Sequence, residues 1–204
     1  MKQRQASFLV RYVLQSFAIV LILGVLLRTF VFSSYVMSGS SMLPSIWPGD
    51  FLLAGKWGLS SLRRGDVVVM RCPGNDQICL KRIVGLPGDR IEIREGNLIV
   101  NDQKALLTPV VDRVHTESIA GDRWLVWSEP ALTSAEPIVV SPSELYLLND
   151  QRTLLDDSRS WGPIKSELIE ARALRIWLSL DWLEEGRVRT WPRVRWERMF
   201  RSIN

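Results

Sequence analysis

Histidine is almost absent from this sequence. The only one, His115, lies outside the segments with the most distinctive polar residues, so a hydrolase built from those segments would need another base. Cysteine is nearly as rare, because Cys72 and Cys79 are the only two. A structural zinc site needs a clustered set of histidine and cysteine ligands, and the chain also lacks a phosphate-binding glycine loop. We therefore expect no metal and no organic cofactor.

The composition indicates a folded protein. Hydrophobic residues make up 47% of the 204 residues and charged residues 24%, which excludes a wholly disordered chain. The length allows one ordinary domain with its own core, in addition to a membrane segment.

Positive charge is concentrated at the C-terminus, although the net charge is only +4. Aromatic residues are interleaved with these arginines, which suits an anionic membrane surface at least as well as nucleic acid. A solvated basic tail is an equally open interpretation. The arginines are Arg187, Arg189, Arg193, Arg195, Arg198 and Arg201, and the interleaved apolar residues are Trp191, Trp196, Met199 and Phe200.

One segment, residues 12–32, is apolar enough to predict a transmembrane helix. At about 1.5 Å per residue, a helix of this length spans a hydrocarbon core of about 30 Å. Residues 1–11 carry basic side chains and no acidic one, so the positive-inside rule keeps them in the cytoplasm and exports residues 33–204. The alternative is a cleaved signal peptide. The long apolar stretch and the poor cleavage site after it favour an uncleaved anchor.

The two cysteines bracket a turn-rich segment between two strand-like runs. A disulfide across this hairpin is plausible in an oxidising compartment. Two free, partly buried thiols are the alternative, and the sequence leaves both open.

The remainder of the chain has a β pattern. Short apolar runs alternate with turns rich in glycine and proline, which is typical of a barrel or sandwich. Residues 101–142 are looser, carry His115, and have no motif of their own. The predicted strands are 66–71, 78–84, 91–94, 98–100, 144–148 and a run from 171 to 182.

Ser41 and Lys81 are the candidate catalytic residues. A lysine can deprotonate a serine only when it is neutral, so its pKa must fall well below the ordinary value of about 10.4. Strand alternation places Cys79, Lys81 and Ile83 on one face, which gives Lys81 apolar companions and is consistent with burial. Apolar residues surround Ser41, and we expect Gly39 to permit unusual backbone dihedrals and close approach of a substrate.

Several motifs, in order along most of the chain, resemble those of bacterial type I signal peptidases. Such enzymes are membrane-anchored serine–lysine endopeptidases that remove signal peptides from exported proteins. The motifs are the anchor end at 27–32, Ser41-Met42-Leu43-Pro44, Gly49-Asp50, Arg64-Gly65-Asp66-Val67-Val68, Lys81-Arg82 through Gly88-Asp89, and Asp157-Ser158-Arg159-Ser160-Trp161-Gly162.

The resemblance implies a mainly β fold: one N-terminal transmembrane helix, then a β-barrel-like catalytic core with a small β insertion at about 101–142. It implies that Ser41 is the nucleophile and Lys81 the general base. It also implies supporting and substrate-binding residues. Oxyanion and site support would come from Gly39, Ser40, Arg82, Asp157, Ser158 and Arg159, with Asp157–Arg159 and Asp150–Arg82 as ion pairs, and substrate contacts from Met42, Leu43 and Pro44.

The implied partners are preprotein signal peptides, cleaved after small-x-small sites, and membrane lipid. We expect no nucleic-acid partner, because the charge bias exports the arginine-rich tail, and we expect a monomer. The implied location is the bacterial cytoplasmic (inner) membrane, crossed once, with the catalytic domain on the outer, periplasmic side.

The chain departs from the family motifs at Gly39, at Leu155 and within residues 149–152. Gly39 stands where many members have a serine that binds the oxyanion, and we expect Ser40 or backbone amides to serve instead. Leu155 stands where the motif usually has a serine bonded to the lysine amine. This change would remove a hydrogen bond that orients Lys81, but it would also increase the desolvation of the amine. The sequence leaves the net effect on activity open. Residues 149–152 read Asn-Asp-Gln-Arg instead of the usual Gly-Asp-Asn-Arg.

These departures motivate an alternative. The chain would then be a specialised or catalytically impaired homologue that binds or processes one dedicated substrate, or a membrane-anchored module that only captures signal peptides.

Overall fold

The structure is a computed structural model that describes residues 2–74, 77–129, 134–184 and 187–203. It is mainly β, as the sequence predicts. An N-terminal helix precedes a series of antiparallel strands, and a four-residue helix interrupts the series near its end. The helices are α1 (Lys2–Phe30) and α2 (Ser158–Trp161), with 3-10 turns at Leu59–Ser61, Ser166–Leu168 and Trp196–Arg198.

All six predicted strands are present, and strands also form between residues 101 and 142, where the family resemblance implies a β insertion. Further strands that were not predicted are Phe32–Val36, Asp50–Gly55, Ile164–Lys165 and Arg187–Val194. The hairpin predicted at 91–100 is present, and positive φ angles at Glu95 and Gly96 form its turn. The strands are β1 (Phe32–Val36), β2 (Asp50–Gly55), β3 (Val67–Arg71), β4 (Ile78–Gly85), β5 (Arg90–Arg94), β6 (Asn97–Val100), β7 (Gln103–Lys104), β8 (Leu106–Val111), β9 (Val114–Ile119), β10 (Asp122–Trp127), β11 (Ala135–Val139), β12 (Glu144–Leu148), β13 (Ile164–Lys165), β14 (Ile169–Glu184) and β15 (Arg187–Val194).

The helix α1 covers most of the segment in which a transmembrane anchor is predicted. It begins before residue 12 and ends at Phe30, because β1 starts at Phe32 and pairs with β2. Within the described ranges, the structure contains no helix that is long and apolar enough to span a membrane. The predicted transmembrane helix at 12–32 is therefore not found.

The largest sheet has the form of a half-barrel, with strand order β1-β2-β14-β3-β4-β12-β13 and β15 paired to β14. The alternation along β3 separates two cores. Val67 and Val69 pack in one cluster with Met42 and Leu52. Val68 and Met70 pack in another, with residues of β12. Because both faces of the sheet are covered, β3 is a continuous run of buried aliphatic residues and not an alternating one.

Residues 101–142, which carry no motif, form β7 to β11. Three of these strands make a small sheet of order β10-β9-β8, while β11 returns to pair with β5. A third core joins this region to the larger sheet, because Trp124 and Val126 pack with Tyr146 and Leu148 of β12. The boundaries of a separate insertion stay a prediction.

The two cysteines form a disulfide, which decides between the two alternatives left by the sequence. Cys72 follows β3 and Cys79 lies in β4, with their Cα atoms 5.6 Å apart. The amide of Cys72 also donates to the carbonyl of Gln77, 2.7 Å away. The disulfide therefore joins the two sides of the hairpin that carries Lys81. Residues 75 and 76, within the predicted turn, lie outside the described residues.

The C-terminal arginines do not form a uniformly solvated tail. Arg198 is buried, and its guanidinium bonds the carboxylate of Asp50. The guanidinium of Arg195 donates to the carbonyl of Pro48, 2.6 Å away. Both arginines also lie over the ring of Trp47. The interpretation as a free tail is therefore wrong for these two residues, since contacts distant in sequence hold them. Trp191, Trp196 and Phe200 remain exposed.

Candidate active site

Ser41 lies in the loop between β1 and β2. The two ends of this loop are tied together, because Gly49 donates its amide to the carbonyl of Met37, 2.8 Å away, and Met37 donates to Asp50. Ile46, further along the loop, is fully buried and packs in the core, which holds the loop against the sheet. The carbonyl of Ser41 accepts a hydrogen bond of 3.0 Å from the amide of Gln151. The Ser41 backbone is thus fixed against the segment that follows β12.

The residues around Ser41 differ in exposure. Met42, expected to contact substrate, is fully buried in the core. Leu43 lines a neighbouring cavity, and the carbonyl of Pro44 accepts a hydrogen bond from the indole of Trp47. Their role in substrate binding stays a prediction.

Gly39 does not have the unusual backbone that the sequence suggested. Its φ lies outside the positive range that favours glycine, and a Cβ at this position would meet only the Met37 methyl group, at 3.9 Å. The expectation of an unusual φ is therefore wrong, and this stretch of the loop also has room for a side chain.

Strand β4 places Lys81 and Arg82 on opposite faces of the large sheet. In the pairing with β3, Lys81 lies opposite Val68 and Arg82 opposite Val67. Both side chains are about 1% exposed. The predicted burial of Lys81 is confirmed, and its cause is coverage of both sheet faces.

The amine of Lys81 is held by two side chains from the segment after β12. Nζ donates to Oδ1 of Asn149 at 2.6 Å and to Oδ2 of Asp156 at 3.3 Å. It also lies 5.2 Å from the centroid of the Trp161 ring. Asn149 is fully buried, whereas the Asp156 side chain is 58% exposed.

Burial lowers the pKa of Lys81 below its ordinary value, because desolvation disfavours the charged amine. The carboxylates of Asp156 and Asp157 oppose this effect, and the positive charge of Arg159 adds to it. The burial effect is the largest, so the net shift is toward the neutral amine that a general base requires.

The segment after β12 is folded around Asp157 and Arg159. Asp157 is fully buried and caps α2, with Oδ1 accepting from the amide of Arg159. Its Oδ2 accepts from the Arg159 guanidinium at 2.6 Å and from the amide of Asn149 at 3.0 Å. The predicted Asp157–Arg159 ion pair is therefore confirmed, and it fixes the backbone of the residue that bonds Lys81. Ser158 accepts the amide of Leu147 on its hydroxyl oxygen, which ties α2 to β12.

The predicted pair of Arg82 and Asp150 is also confirmed. The two carboxylate oxygens of Asp150 accept from Nε and Nη2 of Arg82, at 2.6 and 2.7 Å, and both side chains are buried. Because the pair is bidentate, it fixes the register of Asp150 against β4. Asn149, the preceding residue, is thereby brought to Lys81.

Ser41 and Lys81 line the same cavity, of about 320 Å³. Gly39 and Ser40 lie along it on one side, and the Cys72–Cys79 disulfide lies along it as well. A second, more apolar cavity of about 580 Å³ shares Val36, Met37 and Ser38 with the first. The remaining residues lining the second cavity are Leu43, Trp47, Pro48, Gly49, Trp127, Leu180, Asp181, Trp182 and Arg195.

Sequence reasoning missed Asn149 and Asp156 and gave too much weight to Leu155. The Leu155 side chain is 44% exposed, and it is Leu154 that lines the cavity beside Asp156. The predicted Arg82–Asp150 pair could have indicated Asn149. Asn149 precedes Asp150 and Lys81 precedes Arg82, so the pair brings these two neighbours together. Among the described residues, no three His, Cys, Asp or Glu side chains are grouped to hold a metal.

Comparison with known proteins gives consistent matches. The family model described as "Signal peptidase, peptidase S26" matches residues 9–178, a range that includes both Ser41 and Lys81. Signal peptidase I of Bacillus caldolyticus is 32% identical over 157 residues, covering 74% of this chain and 82% of the relative. Signal peptidase I P of Bacillus subtilis subsp. natto is 34% identical over 105 residues, covering 50% of this chain and 56% of the relative.

A more distant relative and one solved structure are also similar. Signal peptidase I of Pseudomonas aeruginosa is 26% identical over 202 residues, covering 81% of this chain and 71% of the relative. The crystal structure of a signal peptidase I from Enterococcus faecalis V583 is 22% identical, with a TM-score of 0.36, and covers 54% of this chain and 95% of that chain.

Proposed function

Because the chain belongs to the signal peptidase family, peptidase S26, we propose that it is an endopeptidase that cleaves signal peptides from exported preproteins. In this proposal Ser41 is the nucleophile and Lys81 the general base. One observation carries the proposal: the fully buried Lys81 of β4 and Ser41 of the loop between β1 and β2 line one cavity.

The chemistry requires a neutral lysine before attack. The Ser41 hydroxyl transfers its proton to Nζ of Lys81 as Oγ bonds the scissile carbonyl carbon, which gives a tetrahedral intermediate with a negatively charged oxygen. Collapse of the intermediate breaks the C–N bond, and the leaving amine takes the proton from Lys81. A water molecule then gives a proton to Lys81 and attacks the carbonyl carbon of the Ser41 ester, which gives a second tetrahedral intermediate. When its bond to Ser41 Oγ breaks, Oγ takes the proton back from Lys81 and the signal peptide leaves with a free carboxyl group. The lowered pKa of Lys81 supports this role.

Donors for the negatively charged oxygen come from the loop that carries the nucleophile. We assign this role to the amide of Ser41 and the hydroxyl of Ser40, because both residues line the cavity. A preorganised donor typically contributes about 10²-fold or more to the rate.

The substrate is proposed to bind as an extended strand. Strand β1 lies at an edge of the large sheet, so its outer hydrogen-bonding groups are available to an added strand. The cavity with Ser41 opens beside the end of β1 at Val36 and the start of β4 at Ile78. A cavity of this size suits small side chains before the cut, consistent with small-x-small sites. The neighbouring apolar cavity suits larger apolar side chains of the substrate.

A membrane surface is the proposed location of this chemistry. Exposed aliphatic side chains cover the described part of α1, and Trp191, Trp196 and Phe200 are more than 65% exposed near the C-terminus. Aromatic residues of this kind favour the interface between water and lipid. The disulfide supports the outer, oxidising side of the cytoplasmic membrane as the location of the catalytic residues.

Membrane binding is tested by flotation of the full chain with vesicles that contain anionic lipid. The double variant Trp191→Ala/Trp196→Ala is expected to bind several-fold more weakly than the wild type, because two interfacial aromatic rings are lost. Leu106→Ala, which removes a side chain 66% exposed on β8, is the control. Equal flotation of the three proteins would refute a lipid-binding role of the two tryptophans.

A dedicated-substrate or impaired homologue is the second candidate. It is favoured by Gly39 and Leu155, since both positions differ from the family motif. A panel of unrelated preproteins separates the candidates, because a general signal peptidase cleaves most of them and a dedicated enzyme only one.

The proposed activity is tested with purified full-length protein in detergent and a preprotein that has an Ala-x-Ala site. We expect cleavage at that site by the wild type, and loss of at least about 10³-fold in Ser41→Ala and in Lys81→Ala. Ser60→Ala and Lys104→Ala are matched controls, because both residues are exposed and neither lines the cavity with Ser41 and Lys81. Retained turnover in either active-site variant rejects the serine–lysine mechanism. Substrate binding without cleavage by the wild type favours a capture module.

A further inference from the structure

We propose that Asn149 and Asp156 are the positioning residues of Lys81, and that together they replace the serine that the family motif usually supplies at the position of Leu155. The inference rests on the proposed function, and it concerns two residues that the family motif does not use in this way. It begins from the observation that the Leu155 side chain is 44% exposed and lies outside the cavity that Lys81 lines.

The orientation of the Asn149 amide follows from its neighbours. Its Nδ2 donates to the carbonyl of Leu154 at 3.1 Å and to Oδ1 of Asp156 at 2.7 Å. Both partners are acceptors only, so the NH2 group must face them and Oδ1 must face Lys81. The backbone N–H of Asn149 donates to the carboxylate of Asp157. Hydrogen bonds of both the backbone and the side chain of Asn149 therefore fix its Oδ1, which accepts from Lys81.

The number of hydrogen bonds matches the needs of a neutral lysine. A neutral amine has two N–H donors and one lone pair, arranged tetrahedrally around the nitrogen with Cε. Asn149 and Asp156 each accept one bond from Nζ. When both N–H groups are occupied in this way, the lone pair is the remaining group. The network thus leaves Lys81 able to accept a proton within the cavity that Ser41 also lines.

Asp156 has a second effect, which is electrostatic. Its carboxylate stabilises the protonated lysine, so it opposes the influence of burial. The other charged groups near Lys81 are Asp157, which is neutralised by its ion pair, and Arg159. The Trp161 ring contributes a weak attraction for the cation. Among these groups, Asp156 is the one whose charge can be removed without breaking the ion pair that folds the segment.

Two substitutions should move the pH profile in opposite directions. Asp156→Asn removes a negative charge, so Lys81 loses its proton more readily and the acidic limb of kcat/KM moves down by about half a pH unit, as expected for a partly exposed pair. Asn149→Asp adds a negative charge 2.6 Å from Nζ, so the limb moves up. A residue with a purely structural role would lower the rate without moving the limb.

A third substitution tests whether Asn149 orients the amine of Lys81. Asn149→Ala removes the stronger hydrogen-bond acceptor, so we expect kcat to fall by about 10- to 100-fold with KM changed less than threefold. Leu155→Ala is the control for the family position and should cleave as the wild type does. Asp102→Asn is the control for charge, since that carboxylate is 83% exposed and pairs with Arg90.

The experiment measures kcat and kcat/KM from pH 6 to 10 for these full-length proteins in detergent. In parallel, the titration of Lys81 is followed by NMR of selectively labelled lysine in the Ser41→Ala background, which needs no turnover. Opposite shifts in Asp156→Asn and Asn149→Asp support the inference. Coincident titrations of Lys81 in all variants overturn it, even when the wild type cleaves. If the wild type does not cleave, the proposed function fails and the NMR titration alone decides the inference.

Discussion

The carboxylate of Asp50 and the guanidinium of Arg198 form a buried ion pair, 2.5 Å from oxygen to nitrogen. The pair joins the first residue of β2 to the C-terminal 3-10 turn. Arg198 also donates to the carbonyl of Ser45, in the loop that carries Ser41. The C-terminal segment is therefore bonded to the loop that carries Ser41, although the two are far apart in the sequence.

Arg198→Ala should be strongly destabilising. It leaves the fully buried carboxylate of Asp50 without its main partner, which typically costs about 3–5 kcal/mol of unfolding free energy. The measurement is urea denaturation of the full chain in detergent. Arg201→Ala, at an exposed position of the same segment, should change the unfolding free energy by less than about 0.5 kcal/mol. Equal stability of the two variants would contradict a structural role for Arg198.

Much of this fold is readable from the sequence, because its signals are local. The turn after β4, the β5–β6 hairpin and the strand at 144–148 follow from glycine, proline and apolar alternation. The pairs Asp150–Arg82 and Asp157–Arg159 follow from motif resemblance. The contacts that sequence reasoning missed depend on register or on long-range packing: Asn149 reaches Lys81 only through the pairing of β12 with β4, and Arg198 reaches Asp50 across most of the chain.

Dependence on the folded chain also explains why the expectation for Leu155 is wrong. The sequence predicts that Leu155 increases the desolvation of Lys81, because it stands where the family motif usually has a serine bonded to the lysine amine. In the structure, Leu155 is exposed and does not line the cavity with Lys81. Residues 101–142 carry no motif of their own, and strands there are expected only from the family resemblance. The strands form with Trp124 and Val126 packed in a core that only the folded chain assembles.

Gly39→Ser should fold normally and raise kcat. A Cβ at this position makes only an ordinary contact with Met37, so no strain is expected. The added hydroxyl supplies another donor along the cavity with Ser41, and a donor to the oxyanion accelerates the reaction by roughly tenfold or more. Gly39→Ala is the matched control, because it adds the Cβ without the hydroxyl. Kinetics of signal-peptide cleavage by the two variants isolate the hydroxyl, and equal kcat values would reject its role.

Loss of the disulfide should lower the stability of the hairpin that carries Lys81. A cross-link that closes a loop of this length contributes about 2–3 kcal/mol to the unfolding free energy. Cys72→Ser/Cys79→Ser and the wild type in reductant should therefore unfold at similarly reduced urea concentrations. The double variant should be insensitive to reductant. A wild type that keeps its full stability in reductant would contradict this prediction.

The unfolding free energy should rise with pH in alkaline solution because of Lys81. Burial lowers the pKa of this lysine in the folded chain, whereas the unfolded chain keeps the ordinary value of about 10.4. Between these two values the unfolded chain binds a proton that the folded chain lacks, so stability increases as pH rises through that window. Below the window the full cost of protonating a buried amine is present. Lys81→Met has no titrating amine and should not show the rise.

The measurement is urea denaturation of the wild type and of Lys81→Met from pH 7 to 10, with the difference between the two curves as the quantity of interest. Taking the difference removes the contributions of other titrating groups. One of these is Tyr146, whose pKa burial raises to about 12, so that both proteins lose stability above about pH 10. A difference that grows with pH in favour of the wild type places the buried amine in its neutral form at the upper end of the range. Parallel curves would mean that Lys81 keeps its ordinary pKa in the folded chain, and a base that stays protonated cannot activate Ser41.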